Sequence, residues 1–241
     1  MKQTEIKVVF DKKAANKRLH TGWGLSLLVD NKILFDTGEN GDWLLKNMRL
    51  MGINPDEIEG IIISHNHWDH TGGLEALLKA KRKKTPVYIC PGFSGELKEL
   101  IADCGGDPVE VKKWQEIRKN IYTTGEIPGT YKGAPMPEES LVLKTEYGLS
   151  VITGCAHPGI LEILNVVRKH FKTERFFLVM GGFHLLEENT RVLDFIVREF
   201  KILEVKKVAP THCSGPKAED IFAKEYGEEF IAVKVGGAIR L

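Results

Sequence analysis

A surplus of charge of either sign is missing from this 241-residue chain: 34 Lys and Arg stand against 33 Asp and Glu, a formal net charge of +1. So close a balance offers no bulk field to attract nucleic acid or an anionic membrane. Long apolar runs are missing too. Runs such as 60–63 and 176–180 fall far short of the roughly 20 residues that cross a bilayer. The opening Met1-Lys2-Gln3-Thr4-Glu5 has no charged-then-apolar leader pattern. Cysteine is sparse, and Cys90, Cys104, Cys155 and Cys213 form neither a CxxC pair nor a dense framework. Collagenous, disordered, transmembrane and disulfide-scaffold classes are thereby excluded. The expectation is a soluble, cytoplasmic chain whose partner is neither nucleic acid nor membrane. The apolar share of 42%, with 24 glycines, suffices to bury a full core in one domain spanning 1–241.

Short β-rich runs alternate with helix-period segments, the pattern of a layered α/β domain. Strands are expected at 6–10, 25–29 and 32–35, the last two joined by an Asp30-Asn31 turn. A helix over 41–51 ends at Gly52 and Pro55, and the apolar run 60–64 reads as a strand buried on both faces. A helix at 74–80 and a strand at 87–90 follow. In the second half, 141–144 and 149–152 form a hairpin turning at Tyr147-Gly148. Ile160, Ile163, Leu164, Val167 and Phe171 then share one helix face. A strand at 176–179, a helix at 190–200 and a strand at 205–209 complete the pattern, which fits two packed sheets or one wound sheet. Residues 125–139, with three prolines and three glycines, break the rhythm and read as a loop near the mouth of a site.

Chemistry gathers after the buried strand, in Ser64-His65-Asn66-His67-Trp68-Asp69-His70. In extended backbone, side chains two apart share a side, so His65 and His67 can grip one cation. Asp69 and His70 lie where the chain turns into a helix near Thr71, and can face a second cation about 3.5–4 Å away. Imidazole and carboxylate suit zinc, iron or manganese better than magnesium or calcium. His157, His184 and His212 each occupy a strand-to-helix loop, on the edge where α/β sheets collect function. His20 and His170 lack that context, and His170 closes a helix where a cation suits the dipole.

Asp36-Thr37-Gly38, then His65-x-His67-x-Asp69-His70, then His157, then His212 follow the motif order of the metallo-β-lactamase superfamily, which the chain resembles over essentially its whole length. The wording of the motifs (LFDTG, SHNHWDHTGGL, TGCAHPGI, GGFHL and THCSG) is similar to the branch described as metal-dependent hydrolases of β-lactamase superfamily II. That branch includes the dihydropterin-ribofuranosylaminobenzene 5′-phosphate synthases. The resemblance implies a four-layer αββα sandwich, two mixed sheets face to face with helices outside, and two divalent ions, zinc foremost with manganese or iron as alternatives. It also implies His65, His67 and His157 as ligands of one ion and Asp69, His70 and His212 as ligands of the other, with Asp36 supporting them from an outer shell. The chain departs from the pattern where many members carry a bridging aspartate after the strand at 176–179. It has Gly181-Gly182-Phe183-His184 there, which leaves His184 as a terminal ligand or a substrate contact. Cys155 and Cys213, close to ligands in sequence, read as small buried hydrophobes, with thiolate ligation as the alternative.

The chemistry expected of such a site is hydrolysis by water activated at the metals. Asp69 is the natural partner of that water, and His184 a donor to a leaving group or phosphate. Helix starts at Thr71-Gly72-Gly73, Pro158-Gly159 and Ser214-Gly215-Pro216 favour an anionic, phosphorylated small molecule, with Ser214 among its contacts. The competing reading is a transferase that joins a dihydropterin-methyl diphosphate to an arylamine ribose-phosphate. Trp23, Phe93, Tyr131 and Phe183 are the aromatics offered for a stacked pterin. Nuclease activity is disfavoured, because the one basic run, 79–84, reads as a solvated helix end. A non-catalytic metal-binding module is the remaining alternative.

Overall fold

The computed structural model of the chain describes residues 4–241; Met1–Gln3, on which the reading of the opening segment partly rests, lie outside the described residues. The chain folds as two compact units, Met1–Lys112 with Val233–Leu241, and Lys113–Ala232.

The first unit is built on β1 (Glu5–Phe10), β2 (Ser26–Val29), β3 (Ile33–Phe35), β4 (Gly60–Ile62), β5 (Thr85–Ile89) and β6 (Gly106–Glu110), with the last strand of the chain, β15 (Ala238–Arg240), on its edge. The sheet order is β15-β1-β2-β3-β4-β5-β6. Pairing is antiparallel from β15 to β3 and parallel from β3 to β6. The Asp30-Asn31 turn forms as its residues dictate, both with positive φ (51° and 57°), the backbone of a tight hairpin. Strands β3 and β4 are buried throughout, which is why Ile-Leu-Phe and Gly-Ile-Ile read as unbroken apolar runs. Helices α1 (Gly41–Leu50), α2 (Trp68–Thr71), α3 (Leu74–Ala80) and α4 (Gly95–Asp103) accompany this sheet. The Asn40 side chain caps α1 by accepting from Trp43 N–H. Phe93 belongs to the core of this unit, not to a site mouth.

The second unit carries β7 (Gln115–Arg118), β8 (Ile121–Thr123), β11 (Leu141–Thr145), β12 (Gly148–Thr153), β13 (Phe176–Gly182) and β14 (Lys207–Thr211), ordered β14-β13-β12-β11-β8-β7. Strands β12, β13 and β14 are parallel and in register at their ends, with Thr153 beside Gly181 and Gly182 beside Thr211. Helices α5 (Ile160–His170), α6 (Thr190–Ile202) and α7 (Pro216–Tyr226) complete the unit. Helix α5 buries Ile160, Ile163, Leu164 and Val167, the face expected of it. Phe183, Phe200 and Phe222 meet with ring centroids 5.2–5.8 Å apart, so Phe183 is a core residue and not a stacking platform.

Residues 125–139 are not a structureless loop. Strands β9 (Thr130–Tyr131) and β10 (Ala134–Pro135) pair as a small hairpin turning at Lys132 and Gly133, both at positive φ, and Ile127 bridges Glu138 at its base. The chain therefore contains two mixed sheets with helices, and the alternative of one wound sheet is excluded. Among the described residues, no helix is long and apolar enough to cross a membrane.

Candidate metal centre

In the first unit the register of β3 on β4 sets the geometry. Phe35 lies opposite Ile62, so Asp36 and Ser64 leave the two strands side by side. Asp36, at φ 59°, is fully buried, and its Oδ1 accepts from Ser64 N–H at 2.7 Å. Its Oδ2 accepts from the Ser64 hydroxyl at 2.7 Å and from His70 Nδ1 at 2.6 Å. Asp36 thus makes the tight turn and ties Ser64 and His70 to it. With its proton given to Asp36, Ser64 Oγ accepts from His65 Nδ1 at 2.9 Å. Both buried rings therefore turn Nε2, the electron-pair donor, away from the carboxylate. Burial pushes the Asp36 carboxyl up, against the opposing pull of His70 and Ser64.

His65 Nε2 stands 3.1 Å from His67 Nδ1. Two donors on one tetrahedral ion with bonds of ~2.1 Å are about 3.4 Å apart, so this pair fits a single cation. Asp69 Oδ2 lies 3.6 Å from His70 Nε2. Both belong to α2, which begins at Trp68, three residues earlier than the expected helix start at Thr71. Trp68 itself is 62% exposed beside these donors, an aromatic that periodicity does not single out.

Three N–H groups of the helix starts named as anion cradles are already engaged. Gly72 N–H donates to Trp68 O, Gly73 N–H to Gly38 O and Gly159 N–H to Ala156 O, while Pro158 has no N–H. A Cβ on Gly72 or Gly73 would come within 2.3 Å of the Glu39 or Thr37 carbonyl oxygen, so these glycines serve close packing. Ser214 Oγ accepts from Phe183 N–H and donates to Gly181 O, fixing the turn before His184.

In the second unit the aligned ends of β12, β13 and β14 deliver His157, His184 and His212 from one sheet edge. His184 and His212 both sit at positive φ (54° and 50°), a strain typical of functional turns. Sequence reading missed the residue that organises this edge. Glu138 is fully buried, and its Oε1 accepts from the N–H groups of Gly154, Cys155 and Ala156 at 2.8–3.1 Å. Its Oε2 accepts from His157 N–H at 2.9 Å and from His157 Nδ1 at 3.0 Å. Burial alone would raise the Glu138 carboxyl, but the His157 ring and the backbone N–H groups prevail and hold it below the usual carboxylate range.

The His157 and His184 rings are 4.7 Å apart, and the Tyr131 ring lies against both, at 5.4 and 5.8 Å. The donor atoms of Cys155, His157 and His184 lie within 4.8 Å of one another, as do those of Cys155, His212 and Cys213. Both cysteines are buried as expected, yet their sulfurs stand among the imidazoles and not in an apolar core. Burial pushes the Cys213 thiol up, but Cys155, His184 and His212 draw it well below its ordinary range. In return the Cys213 thiol raises His184. His20 and His170 stack instead on Trp43 and Trp114.

Residues 24–167 match the family model of the metallo-beta-lactamase superfamily. Over 90% of its length the chain is 33% identical to the 7,8-dihydropterin-6-methyl-4-(beta-D-ribofuranosyl)-aminobenzene-5'-phosphate synthase of Methanocaldococcus jannaschii, 89% of which is covered. A solved structure described as a metal-dependent hydrolase of the beta-lactamase superfamily superposes with a TM-score of 0.83 at 32% identity, covering 99% of both chains. The metallo-beta-lactamase fold protein YhfI from Bacillus subtilis shares the fold at a TM-score of 0.73 and 13% identity, with both chains wholly covered. Enzymes that use divalent metals are the rule in that family, and the donor chemistry of both units fits such ions: this chain belongs to the metallo-beta-lactamase superfamily.

Proposed function

We propose that the chain is a metal-dependent hydrolase of a small phosphorylated molecule. The observation that carries this reading is the paired construction of the two donor sets. In each unit one buried carboxylate, Asp36 or Glu138, fixes a histidine through Nδ1 and leaves Nε2 to coordinate. The residues that would hold two divalent ions, zinc foremost, are His65, His67, Asp69 and His70 in the first unit and His157 and His212 in the second. Bound ions of this kind acidify water to a pKa of about 7 and polarise the oxygen on which charge develops.

The chain's own residues orient and move protons around that chemistry. Asp69, only 5% exposed, accepts a hydrogen bond from the attacking water in addition to its ligand role. His184, raised by the neighbouring Cys213 thiol, donates a proton to the leaving oxygen. Tyr131, whose ring lies edge-on to both His157 and His184, is the aromatic placed to meet a planar substrate group. The basic run 79–84 does not favour a nucleic-acid substrate. Lys79 pairs with Glu75, Arg82 with Asp56 and Lys84 with Asp107, and Lys81 donates to the Pro55 and Ile58 carbonyls.

The second reading, a transferase, rests on the 33% identity to the M. jannaschii synthase over nearly the whole chain. The same donors would then stabilise a departing diphosphate while an arylamine ribose-phosphate takes the place of water. Metal-loaded protein with a dihydropterin-methyl diphosphate separates the two. Diphosphate release without acceptor is the hydrolase result, and release that requires the acceptor establishes the transferase. No release in either arm removes this substrate and directs the search to phosphodiesters, lactones and thioesters.

A further inference from the structure

Where many superfamily members place a carboxylate, at the end of β13, this chain has no room for any side chain. A Cβ on Gly182 would come within 2.3 Å of the Gly154 carbonyl oxygen and 2.5 Å of Cys213 Sγ. Sulfur and backbone of the neighbouring strand ends occupy that space.

Cys155 is the donor common to the two groups of this unit. Its Sγ lies within 4.8 Å of ring nitrogens of His157 and His184 in one group, and of a His212 ring nitrogen and the Cys213 sulfur in the other. The backbone holds it there firmly. Glu138 Oε1 accepts from Cys155 N–H at 2.9 Å and from the residues on either side, and Ala156 takes a positive φ of 61° that turns the chain toward His157. With 4% exposure, the sulfur is shielded from solvent oxidants.

We propose that Cys155 is a thiolate metal ligand, standing between the His157–His184 and His212–Cys213 pairs in place of the carboxylate absent after β13. The inference rests on the reading that His157 and His212 hold metal. On binding, the thiol loses its proton to solvent and the sulfur lone pair forms the bond, with no change of oxidation state. A thiolate also shifts the preference of the set toward zinc or iron and away from manganese.

Cobalt(II) substitution of the full chain reads this directly. The wild type shows a near-ultraviolet sulfur-to-cobalt charge-transfer band beside the visible d–d bands. Cys155→Ser loses the charge-transfer band, keeps the d–d bands of the remaining donors, and binds metal at least about tenfold more weakly. Cys213→Ser keeps the band. Should Cys155→Ser fail to fold, X-ray absorption at the zinc edge of wild-type protein replaces it, with a sulfur shell at about 2.3 Å expected. Cobalt bound without a charge-transfer band, a zinc edge with nitrogen and oxygen scatterers only, or a band retained in Cys155→Ser overturns the Cys155 assignment and leaves the metal reading standing. A chain that binds no divalent ion at all overturns both.

Discussion

Glu138 holds His157 at two points: Oε2 lies 3.0 Å from the ring Nδ1 and 2.9 Å from the backbone nitrogen of the same residue. One buried carboxylate thus sets both the position of the residue and the tautomer of its ring. The other carboxylate oxygen anchors the three residues before it. Such an arrangement has a measurable energetic weight.

Glu138→Gln keeps the volume but replaces one acceptor oxygen with an NH2 group that cannot accept from His157. Loss of an outer partner of this kind lowers metal affinity by about 10–100-fold, read by competitive chelator titration. Glu138→Ala goes further, leaving the Gly154, Cys155, Ala156 and His157 donors without their acceptor, and costs about 3 kcal/mol or more in chemical denaturation. Equal affinity in wild type and Glu138→Gln would make the contact structural only.

Asp36→Asn is the matching experiment in the first unit. Asn keeps one acceptor oxygen, so its NH2 group confronts either the Ser64 N–H or the Ser64 hydroxyl and His70 Nδ1, which lose their acceptor. A fall in metal affinity of about 10–100-fold is expected, together with loss of turnover under limiting metal that excess zinc restores. Turnover lost at every zinc concentration would mean that Asp36 acts in the chemistry itself.

Glycine substitutions separate close packing from open space. A Cβ on Gly73 meets the Thr37 carbonyl oxygen at 2.2 Å, so Gly73→Ala destabilises by about 1–3 kcal/mol. Gly95, in the first turn of α4, has nothing within 4 Å of its Cβ position and no positive φ. Gly95→Ala stabilises by about 0.4–1 kcal/mol through the unfolded state. Thermal unfolding of the two variants shows shifts of opposite sign.

Much of this architecture is legible in the sequence wherever local chemistry and tertiary packing agree. The Asp30-Asn31 turn, the apolar face of α5 and the 141–152 hairpin form where the residues point, because turn preference and burial reinforce each other. Strand β13 runs on to Gly182 because two parallel neighbours supply hydrogen bonds that override the poor strand preference of glycine. Strand β6, Gly-Asp-Pro-Val-Glu, escapes notice for a related reason: its proline is tolerated only because β6 is an edge strand. Glu138 could not be found from pattern, since its partners lie 16–19 residues away and meet it only through the hairpin at 130–135. Which helix-start N–H groups are taken is equally invisible in the sequence, since the Gly73 N–H finds its acceptor at Gly38, far along the chain.

Acid sensitivity has a separate surface component. Lys206 and Lys207, at 2.5 and 2.9 Å, lower Glu229 from an ordinary 4.5 to about 2. A depressed carboxylate contributes stability that is present above its unfolded pKa and lost as pH falls through the folded one. Glu229→Gln therefore flattens the stability profile between about pH 4.5 and pH 2 and leaves it unchanged in shape at neutral pH. High salt shrinks the difference, because these groups are exposed. A salt-independent difference would place its origin elsewhere.

The central claim is that the donor sets around His65 and His157 hold the divalent ions on which turnover depends. Metal content by elemental analysis, measured alongside turnover for wild type, His65→Ala and His157→Ala, tests it most directly. The account predicts divalent metal in the wild type, loss of both metal and turnover on chelation, recovery of both with zinc, and substoichiometric metal with negligible turnover in each variant. Full turnover by metal-free wild type, or unchanged metal content in both variants, would contradict it.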